Sequence, residues 1–346
     1  MGNSHSSSKS FRRKLTKKKS LQKLINSESL KQQPIYDPSK FHLPKNDKDI
    51  DRMHEQHFLF KHIWGGNFSS PIERTLHKGA MVLDVGCGPG TWLLEMSTTY
   101  PQSQFYGIDI EQIFPKEIKP GNLEFIQSDI TNGIKFDNDH FDFVRMSLLA
   151  AFLQEDKWIH VLGELIRVLK PGGYIEIIEH ELQYSIGSCF SMLITPLLNF
   201  IRSTGANVQI MQKIDSLLTT TTTSSNHHVS PSSRTAFSTS HPTNMLTNNS
   251  SHQVNLSLSN TLSRLTNTHS DTRTVIIGSV HGGQTGKVFE EILTSYFENT
   301  VVELLPWYME ISQEKYLELW KSCQKEFKNR ASSTKLFKFW GMKIPQ

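Results

Sequence analysis

AMVLDVGCGPGTWLLEM, residues 80 to 96, decides how this chain of 346 residues folds. Met81, Val82 and Leu83 form a short apolar run ending in Asp84, the pattern of a buried strand. Glycines follow at 86, 88 and 90, and Trp92, Leu93, Leu94 and Met96 then open a helical pattern. Strand, tight turn and helix make the first unit of a doubly wound α/β sheet. Gly86, Gly88 and Gly90 lack Cβ atoms where the backbone must turn sharply and lie against a ligand. The dinucleotide fingerprint places its third glycine three residues after the second. Here the spacing is G-x-G-x-G, with Pro89 inside it and Thr91 where that fingerprint wants glycine.

An acidic residue followed by this glycine spacing, Asp84 with Gly86, Gly88 and Gly90, resembles the first motif of class I methyltransferases that use S-adenosylmethionine. That ligand has no phosphate to place on a helix N-terminus. It offers a ribose, an adenine, an amino-carboxylate and a sulfonium, which carboxylates and backbone groups can serve. QFYGIDI (104–110) reads as a second strand ending in Asp109, 23 residues past Gly86, where an acidic residue bonds ribose hydroxyls. The resemblance implies that Asp109 takes both hydroxyls, with Ile110 beside it among the cofactor contacts. It also implies that Asp129, at the tip of the third strand LEFIQSDI (123–130), meets the adenine amino group, with Ile130 against the adenine face. HFDFVRMS (140–147) is the fourth strand, whose end, Arg145, Met146 and Ser147, lines the methionine part. ELIRVLKPGGYIEIIE (164–179) reads as helix, Pro-Gly-Gly turn and fifth strand. The resemblance covers residues 80 to 181. It implies a mostly parallel seven-stranded sheet with helices on both faces, and S-adenosylmethionine as cofactor.

Charge separates the chain into two parts. Residues 1 to 31 hold nine Lys or Arg against one Glu, a balance of +8; with the whole chain at +4, the remainder carries −4. The body is mildly acidic, so no nucleic-acid groove is expected. Three widely spaced cysteines, Cys87, Cys189 and Cys323, point to a reducing, cytoplasmic setting. MGNSHS places Gly2 and Ser6 in the N-myristoylation pattern, and FRRKLTKKKS supplies the polybasic second signal that a single acyl chain needs. Peripheral membrane contact through the N-terminus is the expectation, nuclear import of a basic tail the alternative. Residues 1–45 are expected to be disordered.

Residues 46–79 precede the sheet. Within them 49–72 form an amphipathic helix that breaks at Gly65 and Gly66, with Phe58, Leu59, Ile63 and Trp64 buried and His54, Glu55 and Lys61 outward. The methyltransferase core is expected over 80–218. Residues 219–272 hold 33 Ser, Thr or Asn among 54 and only three charges, the composition of a disordered insertion. The domain resumes over 273–346: TVIIGS (274–279) as sixth strand, SQEKYLELWKSCQKEF (312–327) as helix, and LFKFWGMKI (336–344) as a closing strand. By the family resemblance that last strand runs antiparallel, with VVELL (301–305) the alternative.

Methyl transfer is an in-line displacement whose leaving group is a neutral thioether, so alignment supplies most of the catalysis. A base is needed only if the acceptor must lose a proton. The fourth strand lacks the N-P-P-Y or D-P-P-Y tetrad that points to amino-nitrogen methylation of nucleic acid or protein glutamine. Glu179, His180 and Glu181 cluster after the fifth strand; His180 is the candidate base, with His281 a second choice. The expectation is a methyltransferase acting on an unidentified small molecule or protein. The alternatives are a regulatory protein that keeps the cofactor fold and acts through protein partners, and an NAD-dependent oxidoreductase.

Overall fold

The computed structural model describes residues 46–181, 185–216 and 248–345. Its centre is a seven-stranded sheet in the order β3-β2-β1-β4-β5-β7-β6. The strands are β1 (Met81–Val85), β2 (Gln104–Asp109), β3 (Leu123–Gln127), β4 (Phe141–Ser147), β5 (Leu169–His180), β6 (Leu265–Ile277) and β7 (Ser332–Lys343). β1 to β5 pair in parallel, whereas β7 lies between β5 and β6 and runs antiparallel to both. The chain winds outward from β1 in both directions, so the switch point falls between β1 and β4, where ligands sit in such sheets.

The helices follow from apolar spacing. Helix α1 (Asp47–Trp64) starts at Asn46, whose side chain accepts from Asp49 N, and stops at Gly65 in the left-handed region. A single turn and a half, α2 (Glu73–Lys78), leads into β1. Helix α3 (Thr91–Thr99) buries Trp92, Leu93 and Met96 on one sheet face, against Phe105 and Phe143. Helix α4 (Glu155–Val168) buries Trp158, Val161, Leu162, Leu165 and Ile166, the i, i+3, i+4, i+7, i+8 stripe, on the other face with Val144 and Met146. Strand alternation therefore sends Phe143 and Arg145 to one face of β4, and Val144 and Met146 to the other.

A third apolar cluster lies beyond the strand ends. It joins Leu59 and Phe60 of α1 to α5 (Ser188–Ser203), α7 (Ser279–Ser295) and α9 (Gln313–Asn329), with α6 (Asn248–Leu262) and α8 (Leu304–Tyr308) completing the helices labelled here. In α9 the buried residues are Tyr316, Trp320, Cys323 and Phe327. α1 breaks where the sequence indicates, but Phe58 is 55% exposed and Phe60 takes its place in the core. The closing strand is antiparallel as expected, and VVELL instead leads into α8.

Two expectations need correction. The sixth strand begins at Leu265 rather than Thr274 and ends before Gly278 and Ser279, and residues 248–262 are helical. Residues 248–272 of the expected disordered stretch are thus helix, turn and strand. The rest of that stretch, and residues 1–45 with Gly2, lie outside the described residues. Composition misled because β6 is an edge strand held by backbone pairing with β7, its middle exposed to solvent. Among the described residues no helix is long and apolar enough to cross a membrane.

Candidate active site

The turn after β1 is tied to β2: Gly86 N and Cys87 N both donate to Ile108 O, at 2.8 and 3.1 Å. Gly86 has φ +71°, and a Cβ there would meet Leu149 Cδ2 at 2.8 Å. Asp109, at the end of β2, accepts from Gly88 N through Oδ2 and from Glu111 N through Oδ1, each at 2.8 Å. The carboxylate is therefore oriented by the loop it faces. Asp84 is buried, and its Oδ1 accepts from Arg145 Nη1 at 2.8 Å. Burial raises the Asp84 carboxyl's pKa, with the Arg145 charge working against it. The Arg145 guanidinium lies 4.8 Å from the Trp92 ring centroid, and its Nε is buried without a partner among the described residues.

These groups border one cavity of about 960 Å³. Asp84, Gly86, Gly88, Asp109, Ile110, Asp129 and Arg145 line one end of it. Three expected contacts do not reach it. Gly90 lies off the wall; a Cβ there would strike the Phe125 ring at 2.4 Å, so this glycine serves packing. Met146 is fully buried on the opposite face of β4. Ile130, in the short 3-10 turn Ile130–Asn132, packs into that same core. Asp129 does reach the wall, but its carboxylate also caps that turn. It accepts from Thr131 N (2.9 Å), Thr131 Oγ1 (2.7 Å) and Asn132 Nδ2 (2.9 Å).

Helix α1 closes over the glycine loop. His54 Nδ1 lies 2.7 Å from Thr91 Oγ1, His57 Nε2 lies 3.0 Å from Glu95 Oε2, and Lys61 pairs with Glu95. The sequence showed an amphipathic helix there, but not which helix would receive it. Two of the residues placed outward, His54 and Lys61, are among the three tethers.

At the end of β5, Glu179 is buried and its Oε1 accepts from Leu149 N (2.7 Å) and Ala150 N (3.1 Å). Loss of solvent pushes its carboxyl up to about 8. His180 is pushed down to about 4 by burial and is neutral at physiological pH. Thr334 donates its hydroxyl proton to Glu181 O, so it accepts from His180 Nε2, 2.8 Å away, which assigns the proton to that nitrogen. Both residues border the cavity, whereas His281 is exposed on the first turn of α7 and does not.

The two shifts oppose each other in stability. A raised carboxyl binds its proton more tightly in the folded state, so stability falls as pH rises from 4.5 to about 8. A lowered imidazole does the reverse between about 4 and 6.5. The two offset each other between pH 4.5 and 6.5, leaving the Glu179 slope alone from 6.5 to 8. Urea unfolding across that upper window should show stability falling by up to about 1.4 kcal/mol per pH unit. Glu179→Gln should flatten it; an unchanged slope in the variant assigns the proton elsewhere.

Residues 82–173 match the family model described as a methyltransferase domain. The N-methyltransferase verN of Clonostachys rogersoniana is 32% identical over 146 residues, covering 40% of this chain and 49% of that protein. The secondary metabolism regulator laeA of Coprinopsis cinerea is 26% identical over 145 residues, covering 41% of this chain and 36% of that protein. The chain thus spans half or less of these relatives' length. A Haemonchus contortus phosphoethanolamine N-methyltransferase, solved with S-adenosyl-L-methionine, is a distant likeness. It has TM-score 0.40 and 16% identity, over 89% of this chain and 61% of that one. Residues 82–173 thus carry a methyltransferase domain, set in a sheet whose glycine spacing and strand order, with its single antiparallel member, are those of class I S-adenosylmethionine-dependent methyltransferases.

Proposed function

We propose that this protein catalyses transfer of the S-adenosylmethionine methyl group to an acceptor by in-line displacement. The observation that carries this is convergence. The tips of β1 and β2, the glycine loop between β1 and α3, and Arg145 of β4 all face one cavity at the switch point. The residues fit the cofactor's chemistry. Gly86 and Gly88 present bare backbone to the cavity, and Asp109 offers a carboxylate acceptor to ribose hydroxyls. Asp84 and Arg145 present opposite charges side by side, a match for the amino and carboxylate groups of a methionine moiety. When bound, the cofactor supplies an electrophilic methyl on a sulfonium. The chain's own contribution is to orient that group, exclude water and hold the acceptor in line.

A second reading, a regulator that binds the cofactor and acts through a protein partner, draws support from relatives such as laeA of Coprinopsis cinerea, named as a secondary metabolism regulator. Calorimetry with S-adenosylmethionine and with NAD, followed by tritiated-methyl tracing in cell extract, separates the possibilities. Methyl transfer requires S-adenosylmethionine binding, no NAD binding, and a labelled product. Binding without product favours the regulator, and NAD binding overturns both.

A further inference from the structure

The cavity continues past the cofactor end. From the glycine loop the wall passes through Leu149, against Gly86, to Glu179, which holds the Leu149 and Ala150 amides. It then reaches His180, whose ring makes edge contacts with Phe60 of α1 at 6.5 Å and Phe289 of α7 at 5.6 Å. Beyond them the wall is mainly apolar, with Leu197 of α5 and Ile292 and Leu293 of α7. The whole space, about 960 Å³, is at the upper end for a single drug-sized ligand and leaves room for a small acceptor beside the cofactor.

Its cations already have carboxylate neighbours. The cations on the wall are Arg52, Lys61, Arg145 and Lys157, and each lies against a carboxylate: Asp49, Glu95, Asp84 and Asp156 respectively. Asp49 also accepts from Thr300 Oγ1 at 2.7 Å. Arg145 belongs to the cofactor end and Lys157 is half-exposed. The two cations of α1, Arg52 and Lys61, are held by Asp49 and Glu95, so a phosphate or carboxylate entering this compartment would have to displace a carboxylate already in place. A lysine or arginine side chain would bring a positive charge to an apolar wall, at high desolvation cost.

Resting on the methyl-transfer reading above, we propose that this inner compartment, bounded by α1, α5 and α7, is the acceptor site and selects an uncharged small molecule with a mainly apolar body. Glu179 and His180 stand between the cofactor end and the apolar end, the place for hydrogen bonding to the one polar group such an acceptor must carry.

The test fills the compartment from its far wall. Leu197→Trp is the main variant, and Leu293→Phe, a smaller change, is the second in case the first does not fold. Each is titrated with S-adenosylmethionine and with the neutral apolar fluorophore N-phenyl-1-naphthylamine. Each is also assayed for tritium transfer in extract, with label partitioned into organic-soluble, water-soluble and protein fractions. The expected result is cofactor affinity within about twofold of wild type, with fluorophore binding and organic-soluble label both down at least tenfold. Label recovered in protein or in the water-soluble fraction, with cofactor still bound, overturns the acceptor assignment alone. So does fluorophore binding that neither folded variant weakens. Wild-type protein that binds no cofactor overturns the methyl-transfer reading, and the acceptor assignment with it.

Discussion

Asp109→Ala weakens S-adenosylmethionine binding by about 1–3 kcal/mol, roughly 5- to 150-fold, measured by calorimetry. A carboxylate can accept about four hydrogen bonds, and here the Gly88 and Glu111 amides fix its orientation. Two ribose hydroxyls brought into the cavity lose water and need that acceptor, so its removal leaves buried donors unpaired. The variant also strips Gly88 N of its partner, which loosens the loop the cofactor rests on. Asp109→Asn separates the two effects. It keeps one acceptor oxygen, and should fall between wild type and the alanine variant. Equal cofactor affinity in all three proteins would remove Asp109 from the site.

The second large effect is on stability. Gly90→Ala is expected to cost about 2–5 kcal/mol: about 1–2 for an L-residue in the left-handed region and about 1–3 for overpacking. Gly90 has φ +77°, and the new Cβ would lie 2.4 Å from the Phe125 ring. That ring cannot move aside easily. It is stacked on Phe114 at 4.9 Å, and its Cδ1 abuts Gly107, where a Cβ would approach it to 2.7 Å. Gly88→Ala is the control, with a similar positive φ of +54° but only Met53 Sδ within reach at 4.0 Å. Its cost should be the backbone part alone. Urea unfolding of the two variants decides the matter; equal loss in both would show that Phe125 yields.

The half of the fold that carries the glycine loop was legible because its chemistry is local. A run such as MVLDVGCGPG states strand, turn and helix start within a few positions, and strands buried on both faces are apolar throughout. The errors have physical causes of their own. Neighbouring residues at a strand end share a sequence window but not a side of the sheet, so Arg145 faces the cavity while Met146 faces α4. Asp129 reads as a ligand carboxylate, yet much of its hydrogen-bonding capacity serves its own turn. β6 was read short because an edge strand needs only partner amides, and LTNTHSDTRT carries no alternation to betray it. The far wall of the cavity was the least visible, since α1, α5 and α7 meet there from segments far apart in the chain and no local spacing records the meeting.

The placement of β7 has a consequence for how the molecule is assembled as it leaves the ribosome. β6 is made first, but among the described residues its sole neighbour in the sheet is β7, which follows it in the chain. Until that later partner emerges, β6 has no strand to pair with, while β1 to β5 can already pair among themselves. A nascent chain halted before Ser332 would therefore carry β1 to β5 with the far edge of β5 bare, a natural client for a chaperone.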